Sequence, residues 1–382
     1  MQYSGFLIRK KRFEKSWSQE GLCKGICTVS YLSKIEQGKA EASDDILSAL
    51  FERLGINWIC DDETIRKGKS FIKEWYDAAF SADFEKLEIL LNKYKNELSF
   101  LENSIFAIDI MLLNNFFEDT VLPVDEKLEV CMDSRQLALQ RILCGNFQEA
   151  EKLFPCAFMS YRKGVDAYEK GRNSDALENL QKAYSLASDE GRARIMMLSK
   201  LFITNCYSNM QNIESMELHG KIAKRLAFEL GEEDFAKTFD YNLAATKIEI
   251  GDFIGAYEYF SKVENPSAPS LHKLAVCCEK LGKKEEALAA IEAEKTSFAE
   301  NEKLKVLADR ACGLIKFRLE NEDYLSSSEY GKVLLDFFSV CRKEMPVGYA
   351  KFHLPWVLEW YTANRQYKQA FELLNNFPEN IK

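Results

Sequence analysis

Proline and glycine are scarce in this chain, 7 and 18 among 382 residues. So few turn formers do not suit a strand-rich sandwich, and with Leu, Ala, Glu and Lys abundant the composition predicts an all-α protein. Long apolar runs are missing too. The opening MQYSGFLIRKKRF places charge directly after a very short apolar stretch, and no later window holds about 18 uncharged apolar residues, so neither a signal peptide nor a membrane span is expected. The eleven cysteines include no CxxC pair and the three histidines form no pair beside them, which argues against a disulfide framework or a zinc site. Thiols read as small, reduced, buried residues place the protein in the cytoplasm.

Catalytic patterns are equally sparse. RKGKS at 66–70 has the ending of a phosphate loop, but Glu63 stands where the leading glycine is required. No Ser/His/Asp or Cys/His string occurs, and Glu232–Glu233 and Glu285–Glu286 sit beside turns, where they read as solvated helix starts. His219 and His353 have no acidic or cysteine partner at ligand spacing. The expectation is a protein that is not an enzyme, with no cofactor and no metal.

Charge is unevenly spread. Net charge is −9, yet residues 1–55 carry nine Lys/Arg against seven Asp/Glu, leaving 42 against 53 in the remainder. A mildly basic head on an acidic body suits a head that touches phosphates while the body stays off nucleic acid.

In that head the pattern predicts a helix over 5–15, then a second over 18–24 opened by Ser18 with Gln19 and Glu20 behind it. Gly25 breaks the run, Thr28 caps a third helix over 28–37, and Gly38 ends it. Leu32 and Ile35 share one face of the third helix, while Val29, Ser30, Ser33, Lys34 and Gln37 share the other. Ser43 starts a fourth helix with Asp44 and Asp45 at its positive end and Ile46, Leu47, Leu50 and Leu54 as its apolar stripe.

The string SQEGLCKGICTVSYLSKIEQGKAEAS resembles the lambda-repressor-like (XRE-type) helix-turn-helix family in its S-Q-x-x-L, S-Y-L-S-K-I-E and x-G-K elements, over residues 4–56. The resemblance makes 28–37 the recognition helix, with Gln19 touching backbone or base edge. Lys34 then suits guanine, Ser30 several base edges and Val29 a thymine methyl, while Ser18, Tyr31 and Lys39 suit phosphates; Thr28 and Ser33 complete the candidate DNA-binding set. Arg12 and Glu36 occupy the positions of an internal ion pair. The turn is one residue shorter than in phage repressors and Val29 replaces a commonly polar residue, so no target sequence carries over.

Beyond the head, one phrase recurs: helix, short turn, then a helix with Ala five residues on. Its clearest copies turn at Gly145, Gly171, Gly251, Gly282 and Arg365, followed by Ala150, Ala176, Ala256, Ala287 and Ala370. Weaker copies centre on Ala82, Gln211 and Asn321, with Leu87, Met216 or Ser326 in the alanine's place. The array resembles tetratricopeptide repeats over about 66–378 at uneven spacing. Residues 97–133 fit poorly, and Pro123 is expected to break a helix there.

The expected fold is therefore all-α: an N-terminal helix-turn-helix bundle over 1–60, then a right-handed superhelical repeat solenoid over 61–382 that binds ligand. Counting back from each turn, the concave wall should present Arg135, Tyr161, Tyr168, Asn205, Asn209, Tyr241, Asn242, Glu249, His272 and Glu279. Amides and phenols suit a peptide main chain. Head and array together resemble the RRNPP group of Gram-positive regulators, with its Rgg, PlcR, PrgX and NprR branches. That resemblance implies a homodimer on a two-fold operator in double-stranded DNA, a signalling oligopeptide in the groove and no membrane partner. Two alternatives stay open: a DNA-binding regulator whose repeats bind a protein, or a Rap-like non-catalytic protein that acts on a partner. The acidic body favours a neutral or basic ligand.

Overall fold

A computed structural model describes residues 2–58, 61–118, 126–299, 301–345 and 347–375. The boundary expected at residue 60, Cys60 and Pro123 lie outside the described residues. Among those described, every regular element is helical.

The head consists of α1 (Gln2–Glu14), α2 (Gln19–Cys23), α3 (Val29–Glu36) and α4 (Asp44–Leu54). Ser18 Oγ accepts from the Gly21 N–H and Thr28 Oγ1 from the Tyr31 N–H, so both expected caps hold their helix starts. Ser43 precedes α4 without a side-chain bond. Phe6, Leu7, Ile8, Leu22, Leu32 and Leu50 are sealed inside the bundle, each worth about 1.5–3 kcal/mol of transfer free energy. Gly5 lies so close to the Ile35 carbonyl that no Cβ fits between α1 and α3.

Next come α5 (Asp62–Phe80), α6 (Phe84–Tyr94), α7 (Leu98–Leu101), α8 (Ala107–Glu118), α9 (Glu126–Glu129), α10 (Ser134–Leu143), α11 (Phe147–Leu153), α12 (Ala157–Glu169), α13 (Asn173–Glu190) and α14 (Ala193–Asn209). They are followed by α15 (Ile213–Glu229), α16 (Glu233–Glu249), α17 (Phe253–Phe260), α18 (Ala268–Lys280), α19 (Lys284–Glu294), α20 (Glu302–Glu320), α21 (Ser328–Glu344), α22 (Val347–Ala363) and α23 (Tyr367–Asn375).

The recurring phrase marks real hairpins. Gly171 turns at φ 71° and Gly251 at φ 85°, and Ala82, Gln211 and Arg365 adopt the same left-handed conformation without glycine's freedom. Ala150, Ala176, Ala256 and Ala287 are fully buried where the second helix meets the first, as are Leu87 and Met216 in the weaker copies. The copy at Asn321 departs from the pattern. Asn321 has φ −131°, a 3-10 turn at Tyr324–Ser326 intervenes, and Ser326 stays exposed. The close approach of α21 to α22 falls at Gly331 instead, whose backbone abuts the Trp360 indole.

Two compact units divide the chain. One comprises Met1–Ala167 and Glu178–Ser199; the other comprises Tyr168–Leu177 and Lys200–Lys382. Inside the first, α1 packs on α8 and α9 as well as on α3 and α4, and the Cys131 thiol donates to the Glu36 carbonyl at 3.6 Å. Trp75 and Phe71 are buried in the same unit, and Phe80 stacks on Phe158 at 5.5 Å. The second has its own core from Ala244 on α16 to Trp360 on α22, with Phe260, Ala275, Ile315, Phe337 and Val357 between.

Candidate nucleic-acid interface and ligand cavity

On the head, α3 buries Leu32, Ile35 and Glu36 and leaves Thr28, Val29, Ser30 and Lys34 exposed, with Val29 at 42%. Lys39 is exposed just beyond the helix, and Ser18 at the start of α2. The capping oxygens of Ser18 and Thr28 use a lone pair on the backbone, which leaves each hydroxyl proton free to donate to a phosphate. Ser33 is half-buried and accepts from Gln37 Nε2 at 3.0 Å. Tyr31 donates its hydroxyl proton to the Glu41 carbonyl at 2.8 Å and so ties the chain after α3 to the helix.

Gln19 differs from the expectation. Its amide donates to Glu36 at 2.8 Å and belongs to the buried polar group in which Arg12 holds the same carboxylate. Arg53, which the sequence reading missed, donates to the Leu22 and Lys24 carbonyls and clamps the end of α2.

A separate cavity of about 700 Å³ lies within the second unit. Seven of the ten expected groove residues line it: Tyr168, Asn205, Asn209, Tyr241, Asn242, Glu249 and His272. Asn242 Nδ2 donates to Asn205 Oδ1 at 3.4 Å, and Asn209 Nδ2 to Asn173 Oδ1 at 3.3 Å. Among the described residues Asn205 thus keeps its side-chain NH₂ and Asn242 its side-chain carbonyl, the donor and acceptor a peptide group requires. Burial pushes the Tyr168 hydroxyl up, and its ring meets Phe202 edge-on.

The other three lie elsewhere. Arg135 stacks on the Tyr76 ring at 3.8 Å and lines a different cavity in the first unit, beside Asp109 and Gln136. Tyr161 is buried in that unit. Glu279 is taken by Arg318, with Nη2 to Oε2 at 2.7 Å. Helical spacing assigned these three to a face but could not foresee the partners that hold them.

Lys273, Lys351, Phe352 and His353 line the same cavity and were not expected there. Lys273 donates to Tyr241 Oη at 2.7 Å; Lys351 donates to the Asn209 carbonyl at 3.3 Å and pairs with Glu249 at 3.2 Å. His353 stacks on His272 at 5.2 Å. Burial, assisted by Lys273 and Arg318, holds His353 at about 3 and His272 well below the usual imidazole range, so both rings are neutral. The aromatic-rich FHLPW stretch was the available signal, but the repeat phrase around α22 drew attention only to its turn.

The other motifs resolve structurally. RKGKS lies inside α5, where Gly68 is pressed against Phe106. Glu232 precedes α16, and Glu285 and Glu286 sit in the first turn of α19. His219 stacks on Tyr207, and its Nδ1 accepts from Lys200 at 3.1 Å. Among the described residues no cluster of three His, Cys, Asp or Glu side chains is placed to hold a metal, and no helix is long and apolar enough to cross a membrane.

Residues 8–58 match the Helix-turn-helix family. The head is an XRE-type helix-turn-helix domain. The fold is similar to that of a Rap protein complexed with competence and sporulation factor, at TM-score 0.54 and 14% identity, covering 82% of this chain and 97% of that one. A structure of Bacillus thuringiensis PlcR with the peptide PapR7 and DNA matches at TM-score 0.33 and 16% identity over 63% of this chain and 99% of that one, which adds nothing to the fold assignment. No curated protein sequence matches. The chain thus joins a helix-turn-helix head to helical elements whose fold is similar to that of the Rap structure.

Proposed function

We propose that the protein is a cytoplasmic, non-catalytic transcription regulator that binds a two-fold DNA operator as a homodimer and is controlled by a signalling oligopeptide. On this reading residues 1–60 bind DNA, and residues 61–382 bind the peptide and dimerise. The observation that carries it is the convergence of seven groove residues, with an unspent amide donor and acceptor, on one cavity in a chain whose head is a helix-turn-helix domain. The Rap protein of the same fold was solved with competence and sporulation factor bound, which supports ligand occupancy of such repeats. Control follows if the peptide binds one arrangement of the repeats better than another, because only differential affinity shifts an equilibrium.

Footprinting or shift assays on the DNA flanking its own gene, at about 150 mM salt with non-specific competitor, test the proposal. A protected two-fold site is expected. A folded dimer with no specific site would instead favour a protein partner for the repeats.

A further inference from the structure

The charges around the cavity of the second unit do not cancel. Of the charged side chains that line it, Glu249 is paired with Lys351, Glu169 and Lys170 are adjacent and of opposite sign, and Lys273 is left over; nearby Glu279 is held by Arg318, and the two histidines are neutral. Lys273 has no carboxylate within reach among the described residues: its ammonium touches Tyr241 Oη at 2.7 Å and lies over the Tyr241 and Phe352 rings at 4.8 and 5.0 Å. A phenol and two aromatic faces solvate a cation without neutralising it.

The direction of the Lys273–Tyr241 bond matters. An ammonium only donates, so the Tyr241 oxygen accepts and its proton remains available. No other hydrogen bond engages that hydroxyl among the described residues. Lys273 keeps further N–H groups of its own, so two adjacent donors, one of them charged, converge on the cavity wall. A carboxylate has two oxygens that accept from such a pair, and charge-assisted bonds are the stronger kind. A cationic group placed there would meet Lys273 unscreened.

We propose that Lys273 and Tyr241 form an anchor for a carboxylate of the bound peptide, supplied either by its C-terminus or by an Asp or Glu side chain. This rests on the peptide-receptor reading above. It reverses the preference drawn from net charge: the body is acidic, but the cavity presents an uncompensated cation.

The test uses the full-length protein and three pools of random short peptides: free acids without Asp or Glu, C-terminal amides with Asp and Glu, and amides without either. Capture at equilibrium is read by mass spectrometry. The third pool should be retained about 10- to 100-fold less than at least one of the others, and which of those is retained identifies the carboxylate's source. Lys273→Met should erase the difference, Lys273→Arg restore it and Tyr241→Phe weaken it. If Lys273→Met does not fold, Tyr241→Phe reads the same preference. Equal retention of all three pools overturns the anchor and leaves the peptide-receptor reading standing; retention of none by the folded wild type overturns both.

Discussion

Arg12 grips Glu36 through two parallel bonds, Nε to Oε1 at 2.6 Å and Nη2 to Oε2 at 2.8 Å, with the carboxylate wholly shielded from solvent. The guanidinium also donates to the Trp17 carbonyl at 3.0 Å, so one side chain joins α1, the turn before α2, and α3. Replacing Glu36 by Gln leaves a buried cation without a counter-charge, which costs about 3–5 kcal/mol. The head of Glu36→Gln should unfold at lower denaturant than wild type, and specific DNA binding should fall with it. An unchanged denaturation curve would mean that water replaces the carboxylate without loss.

Ser30 and Lys34 present the opposite situation. Both are exposed on α3 and neither contributes to the head's buried packing. The double variant Ser30→Ala with Lys34→Ala should keep the wild-type melting curve while losing about 1–3 kcal/mol of discrimination for each base contact removed. If sequence-specific binding survives in a competition shift assay, the reading face lies elsewhere.

Gly220 on α15 marks a close helix approach, because a Cβ there would overlap the Phe239 ring of α16. Gly220→Ala should destabilise the protein by about 1–3 kcal/mol through overpacking. Gly313, inside α20 with open space where a Cβ would stand, is the control. Gly313→Ala should be stabilising by about 0.5–1 kcal/mol, since alanine loses less backbone entropy in a helix. Chemical denaturation of the pair separates steric crowding from propensity.

What the sequence made legible depended on local chemistry. Thr28 as a cap, Gly171 as a left-handed turn and Ala256 at a tight crossing each answer to neighbours a few residues away, so residue type and spacing sufficed. Asn321 misled because a polar residue after a helix suits a repeat turn equally well, and only the 3-10 turn that follows displaces the crossing to Gly331. The cavity divided along the same line. Helical counting placed Asn205, Asn209, Tyr241 and Asn242 together because they repeat on corresponding first helices. Lys351 and His353 join them through the packing of α22, which no local pattern encodes.

His353 tests that packing through pH. Its Nδ1–H donates to the Tyr349 carbonyl at 2.8 Å, and Phe337 and Trp356 meet its ring edge-on, each at 4.8 Å. Burial holds it at about 3, whereas an unfolded histidine titrates near 6.5. The native state therefore refuses a proton that the unfolded state accepts. Above about pH 6.5 the group has no effect on stability; as pH falls toward 3 the unfolded state is increasingly favoured, by about 3 kcal/mol near pH 4. His272 acts in the same direction, so a single substitution isolates one share of the loss. His353→Phe should lose less stability than wild type between about pH 6 and 4, with the two proteins running parallel above pH 7. Denaturation midpoints across that range measure it, and the His353 ring proton signals of the folded protein should stay fixed down to about pH 4.5. Ring signals that titrate near 6.5 would place His353 in water instead of between His272, Phe337 and Trp356.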